Sequence, residues 1–217
     1  MRNIAIYGAG GFGKELACHI RRINNDVPKW NIIGFFDDGI EKNTLISNYG
    51  KVLGGVDDLN NWKEPIDIAI SIGSPKVLKS VVEKIINPYV SFPNIVSPGI
   101  RFNDIDTFKI GIGNILNSDC IISCDVSIGD FNILNGFVAL GHDVTVGSFN
   151  TFMPSVRISG EVNIGNVNFF GVGSIVLQQI DIGDNVRLGA GSVLLKKPKN
   201  GQLYMGNPAK LLDLGII

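Results

Sequence analysis

Charge is scarce in this 217-residue chain: charged residues make up 18%, and 19 Lys and Arg against 20 Asp and Glu leave a formal charge of -1. Without clustered cations there is no field to hold a phosphate backbone, which excludes nucleic acid from the expected partners. Cysteine is also sparse. Cys18, Cys120 and Cys124 are an odd number in a chain large enough to build a core without staples, which argues for a reducing compartment. Cys120 and Cys124 have no His or Asp partner at metal or nucleophile spacing, so neither a metal site nor an acyl-cysteine is expected. Only two histidines occur, His19 and His142. No apolar run is long enough to cross a bilayer. The chain opens directly into a strand-like run, Met1 to Gly8, with no separate apolar leader, so the expected location is the cytoplasm, without membrane insertion.

What is present divides into two patterns, and two domains are expected, 1-98 and 99-217. In the first, Asn3 to Tyr7 is an apolar, β-branched run leading into Gly8-Ala9-Gly10-Gly11-Phe12-Gly13, and Lys14 to Ile23 has helical spacing of apolar residues. A second strand, Trp30 to Phe36, ends on Asp37-Asp38; a third, Ile66 to Ile72, ends on Gly73-Ser74-Pro75 before a helix from Lys76 to Ile86. Strands alternating with helices imply a parallel sheet. The glycine spacing followed by an acidic pair suggests phosphate on a helix N-terminus and a carboxylate on ribose. Roughly 100 residues suit one mononucleotide-sized half rather than two. A nucleotide or nucleotide-linked sugar is therefore the expected ligand, ahead of NAD or a glycine turn without any ligand.

In the second domain an aliphatic or aromatic residue recurs at every sixth position, from Ile110, Leu116 and Ile122 through to Leu188 and Leu194. The position after each anchor is usually small or Asn, and the fifth position is compact, as in Val126, Val144 and Val162. No helix or ordinary strand has this period. It makes a solenoid whose short strands stack at about 4.8 Å. Three hexads close one triangular coil, so residues eighteen apart share a column, and the fifteen anchors make five coils. Phe131, Phe149 and Val167 then form an outward column, with Ile115, Ile133, Thr151 and Phe169 beside it. Apolar columns on an outer face need a cover, and another subunit is the expected one.

His142 projects from a turn of this prism, followed by Asp143. The map puts Gly160 one coil away in the column of His142, and Asp125 and Glu161 in the column of Asp143. A neutral imidazole can take a proton from an amine or hydroxyl attacking a thioester, and a bare glycine N–H can stabilise the oxyanion. His19, on the first helix, reads as structural or solvated.

The glycine turn Gly8 to Gly13, Phe36-Asp37-Asp38, the hexad run, Gly141-His142-Asp143 and the closing Gly206-Asn207-Pro208-Ala209-Lys210 together resemble the hexapeptide-repeat sugar acetyltransferases, typified by sialic-acid O-acetyltransferases and bacillosamine-pathway N-acetyltransferases. The resemblance implies an α/β Rossmann-like half domain that binds the nucleotide-linked sugar, followed by a left-handed parallel β-helix. It further implies a homotrimer with acetyl-CoA in the cleft between neighbours, and no metal. By the same resemblance His142 would be the general base and Asp143 its orienting acid, where relatives commonly carry Glu; Gly160 would bind the acetyl oxygen. Lys196, Lys197, Gly206, Pro208, Ala209 and Lys210 would line the CoA channel. Gly10, Gly11, Phe12, Gly13, Asp37 and Asp38 would face the nucleotide, and Asn135 the sugar. Phe12 stands where several relatives carry His, and Asn150 where some place a histidine near the thioester. The implied reaction is N-acetylation of a 4-amino group on a nucleotide-linked dideoxy sugar. The alternatives are O-acetylation of sialic acid or a related sugar, a noncatalytic binding trimer, and a dinucleotide oxidoreductase.

Overall fold

The structure, a computed structural model, describes residues 1-212; the last residues of the second expected domain, 213-217, lie outside the described residues. The chain divides into two compact units, Met1–Pro98 and a second beginning at Gly99.

The first unit is a five-stranded parallel sheet. Its strands are β1 (Arg2–Tyr7), β2 (Trp30–Phe36), β3 (Val52–Gly54), β4 (Ile66–Ile70) and β5 (Val90–Ser91), in the order β3-β2-β1-β4-β5. The connecting helices are α1 (Gly11–Asp26), α2 (Val56–Asn60) and α3 (Pro75–Lys84). β4 is buried along its whole length and reads as a continuous apolar run apart from Asp67. Asp67 is 1% exposed and is satisfied by Arg2 Nη2 at 2.6 Å and by Trp30 Nε1 at 3.0 Å, as a buried carboxylate must be. The strand order reverses between β1 and β4. In an open α/β sheet that switch point opens a crevice beyond the strands' carboxyl ends, where ligands bind.

The second unit is a parallel β-helix of two-residue strands. Ile121 pairs with Ala139, Ala139 with Arg157, Arg157 with Ile175 and Ile175 with Val193, each step eighteen residues long. The Ile121 face runs from Arg101–Phe102 to Val193–Leu194. The Ser127 face runs from Lys109–Ile110 to Asp181–Ile182. The Ile133 face carries Ile115–Leu116 through Arg187–Leu188 and then Leu203–Met205. Apart from partly buried Ile110, the anchors are at most 4% exposed, and Phe152 stacks on Phe170 with ring centroids 4.6 Å apart. At the corners every sixth residue has a left-handed backbone, including Phe131, Asp143, Phe149 and Glu161.

Among the described residues, one corner carries a device that the other two lack. Between the Ser127 and Ile133 faces, Asn114, Asn132, Asn150 and Asn168 form a fully buried ladder. The Asn132 side-chain oxygen accepts from Asn150 N and Asn150 Nδ2, both at 2.9 Å, and Asn150 Oδ1 accepts in the same way from Asn168. Each amide nitrogen also donates to a backbone carbonyl, as Asn150 does to Gly165 at 2.9 Å. Orphaned corner groups deep in an apolar prism are thereby satisfied. A glycine stands three positions before each rung because a side chain there would run into the next coil: a Cβ at Gly147 would lie 2.6 Å from Gly165 O.

The outward apolar columns correct one expectation. Phe131, Ile115, Ile133 and Thr151 are 6%, 1%, 1% and 0% exposed in a single chain, so one copy already covers the part of the face assigned to a neighbouring subunit. Periodicity shows which columns point outward but not what folds over them.

Candidate active site

His142 stands on the corner between the Ile121 and Ser127 faces, at the middle of Gly141-His142-Asp143. Asp143 takes the left-handed conformation, φ 58°, and its N–H donates to Cys124 O on the preceding coil at 3.1 Å. Its carboxylate lies 2.7 Å from His142 Nδ1. With the imidazole neutral, the geometry suits a proton on Nδ1 donated to the carboxylate, leaving the Nε2 lone pair open. Both side chains are about half exposed, 54% and 57%, so Nε2 is accessible to a ligand.

Gly160 lies against the imidazole. A Cβ there would overlap His142 Nε2 and lie 2.6 Å from Cε1. The backbone locks the two coils together, since Glu161 N donates to His142 O at 2.8 Å. Among the described residues the Gly160 N–H makes no hydrogen bond, so it is available as a donor beside the imidazole. Glu161 itself turns to the next coil and accepts from Gln179 Nε2 at 3.1 Å.

The eighteen-residue register places Lys196 in the column of His142 and Gly160, three coils from His142 and so about 14 Å along the prism. Lys196 is exposed, while Lys197 is held 3.4 Å from Asp181. The tail segment returns to the end of the Ile121 face. Gly206 N donates to Ser192 Oγ at 3.0 Å, Val193 N donates to Gly206 O at 3.0 Å and Ala209 N donates to Val193 O at 2.8 Å. Pro208 follows a cis bond, and Pro208 and Lys210 are exposed. His142, Gly160 and the lysines thus share one corner, with the tail close to its far end.

Asn135 occupies the other edge of the Ile121 face. Its amide is engaged in the wall, accepting from Asn117 at 3.2 Å and donating to Phe152 O at 3.0 Å. Asn150 is a rung of the buried ladder at 0% exposure, and so does not reach a cofactor on the surface. Cys120 is buried, and burial pushes its thiol up to about 11. His19 packs half-buried with Nδ1 3.0 Å from Ser97 Oγ, and burial lowers its pKa.

In the first unit, the glycine loop opens α1 at the switch-point crevice. Gly8 is left-handed at φ 103°, and a Cβ at Gly13 would collide with Gly8 O, so both positions require glycine for the turn itself. At Gly10 and Gly11 a Cβ would meet nothing within 4 Å, so these two leave open space at the N-terminus of α1. Phe12 is half-buried. Asp37 Oδ2 accepts from Ala9 N at 2.8 Å and Oδ1 from Gly39 N at 2.9 Å. Asp38 Oδ2 accepts from Tyr7 Oη at 2.7 Å and Oδ1 from Val56 N at 2.8 Å. No group of three or more His, Cys, Asp or Glu side chains gathers at metal-holding geometry among the described residues.

Residues 3-85 match the PglD N-terminal domain family. Over 98% of its length the chain is similar to the whole acetyltransferase domain of PglB from Neisseria gonorrhoeae FA1090, 100% covered, at 26% identity and a TM-score of 0.87. That domain is also known in complex with acetyl coenzyme A. WeeI from Acinetobacter baumannii AYE is similar at 26% identity and a TM-score of 0.86, with 98% of this chain and 100% of that one covered. PerB from Caulobacter crescentus, solved with CoA and GDP-perosamine, shares the fold at 22% identity and a TM-score of 0.86, with 98% of each chain covered. No curated protein matches the chain. These likenesses bear out the resemblance to the hexapeptide-repeat sugar acetyltransferases and the fold class, a Rossmann-like half domain followed by a left-handed parallel β-helix.

Proposed function

We propose that this chain, an acetyltransferase of the hexapeptide-repeat kind, carries acetyl from acetyl-CoA to the 4-amino group of a nucleotide-linked amino-dideoxy sugar, by direct transfer in a ternary complex. The observation that carries the reading is the His142–Asp143 pair: a carboxylate 2.7 Å from Nδ1 suits the neutral tautomer whose Nε2 lone pair faces an exposed corner, beside the Gly160 N–H, which has no partner among the described residues. His142 Nε2 accepts a proton from the amine as its nitrogen bonds to the thioester carbonyl carbon. The Gly160 N–H stabilises the oxyanion, the C–S bond breaks with its electron pair on sulfur, and the imidazolium returns the proton to the CoA thiolate. Asp143 stabilises the imidazolium between these steps.

Acetyl-CoA lies along the corner from His142 toward Lys196 and Lys197, which meet its phosphates, with Gly206, Pro208, Ala209 and Lys210 at the far end. The complex with acetyl coenzyme A of the Neisseria domain, 26% identical over nearly the whole length, supports this cosubstrate. The nucleotide occupies the crevice at the carboxyl ends of β1 and β4, its phosphates at Gly10 and Gly11. A second and third copy complete a homotrimer over the Ile121 face. Exposed Phe137, Leu177, Leu195 and Met205 flank that face and would be covered there. The reaction belongs in the cytoplasm, where acetyl-CoA is made available.

The test is CoA release by the purified protein with acetyl-CoA and a panel of UDP-, dTDP- and GDP-linked 4-amino-4,6-dideoxy sugars plus free sialic acid, run beside His142→Ala. Turnover on one linked amino sugar that collapses in the variant supports the proposal and names the nucleotide. Turnover on sialic acid alone replaces it with O-acetylation, and an unimpaired His142→Ala overturns the assigned base.

A further inference from the structure

The acidic pair at the end of β2 has no oxygen left without a protein donor. Asp37 accepts from Ala9 N and Gly39 N, and Asp38 from Tyr7 Oη and Val56 N. Together the two carboxylates join three segments around the switch-point crevice: the glycine loop after β1, the turn after β2, and the first residue of α2. Neither carboxylate is in an ion pair with Lys or Arg among the described residues, so their charge is balanced by N–H and O–H dipoles. The only side chain among the four donors is Tyr7. It is 2% exposed, and its hydroxyl donates to Asp38 at 2.7 Å. Burial first, then the bond to Asp38 and the charges of Asp38, Asp37 and Asp57, raise its pKa far above the ordinary value, so the phenol is a permanent donor.

We infer that Tyr7 is a positioning residue for the sugar-nucleotide crevice: through Asp38 it fixes the start of α2, while the neighbouring Asp37 fixes the glycine loop, and the acidic pair builds the crevice wall rather than reading the ribose. The inference rests on the proposed nucleotide-linked substrate, but its structural half can be tested without one. Tyr7→Phe removes a single oxygen atom and keeps the ring. In the free protein, hydrogen–deuterium exchange at the Val56 amide is expected to accelerate at least tenfold while β1 and β4 amides stay protected. Unchanged exchange at Val56 overturns the inference whatever the substrate. With the linked sugar turned over by the wild type, KM for that sugar is expected to rise about five- to tenfold, with kcat and KM for acetyl-CoA within about twofold. A fall in kcat with both KM values unchanged overturns it, since a general loss of folding or of catalysis would have that form. Asp38→Asn keeps an acceptor for Val56 N and an amide facing the Tyr7 oxygen, which can accept; it is expected to retain most of the wild-type affinity, whereas Asp38→Ala matches Tyr7→Phe or exceeds it. If the wild type turns over no linked sugar, the functional proposal fails, and the Val56 exchange still decides the role of Tyr7.

Discussion

Replacing Gly160 by alanine tests the active-site geometry with one methyl group. The new Cβ would sit 2.6 Å from His142 Cε1 and 2.9 Å from Cδ2, where ordinary contact begins at 3.4 Å, so the ring must move by about 1 Å. Gly160 does not need a left-handed backbone, and its N–H survives the substitution, so the loss reports the imidazole position rather than the oxyanion donor. The ring is half exposed and can swing outward, which spares the fold but separates Nδ1 from Asp143. A misplacement of about 1 Å costs roughly 10²-fold in rate. The expected result is therefore a kcat reduced on the order of 10²-fold, with a melting temperature within about 2 °C of the wild type. In a His142→Ala background the same substitution is expected to cost almost nothing further, because both act through one group. Gly160→Ala retaining more than about a third of kcat, or adding its full cost to that of His142→Ala, would refute the placement of the base.

Asp143→Asn removes the charge that holds Nδ1–H and lets an amide N–H donate to Nδ1 instead, which puts the imidazole proton on Nε2; steady-state kinetics should show kcat down roughly 10²-fold with KM for acetyl-CoA little changed. Asn150→Ala deletes four hydrogen bonds inside the ladder and orphans the buried Asn168 N–H; urea unfolding is expected to show a loss of about 3–5 kcal/mol, and a loss below about 1 kcal/mol would remove the ladder from the account of stability. With its thiol pushed up to about 11, Cys120 is about one part in a thousand thiolate at pH 8, and it is fully buried; peptide mapping after iodoacetamide treatment should find exposed Cys18 alkylated in the native protein and Cys120 only after unfolding.

Much of the fold is legible in the residues because the chemistry that builds a β-helix is local and repeated. The anchors from Ile110 to Leu194 give the strands and their register, and from the register follow the stacking of His142 on Gly160 and the alignment with Lys196. A second, eighteen-residue signal runs beside them: Gly-x-x-Asn recurs at 111-114, 129-132, 147-150 and 165-168, and marks the ladder corner. Its period is three hexads, so a search at six sees only the small residue after each anchor. Nothing at that shorter period separates Asn150 as a core residue from Asn150 as a neighbour of the cofactor. The outer columns at Phe131 and Ile133 read as a subunit interface because the period shows that a column points outward and not how much of it a single chain buries. The acidic pair at Asp37 and Asp38 fits a ribose-binding pattern, yet its four hydrogen bonds come from residues up to thirty-one positions away, which spacing alone does not reveal.

The asparagine ladder makes chain length at its corner a counted quantity. Each rung takes bonds from one coil and gives them to the next, so a single residue inserted between Gly147 and Asn150 would carry every later asparagine out of line, whereas an eighteen-residue insertion would add one more rung. Over evolutionary time the helix can therefore grow or shrink in whole coils at that edge. The other two edges carry no such ladder among the described residues. Those are the edges that carry His142 and Asn135, so the same scaffold can keep its length in register while the surfaces at those edges diverge.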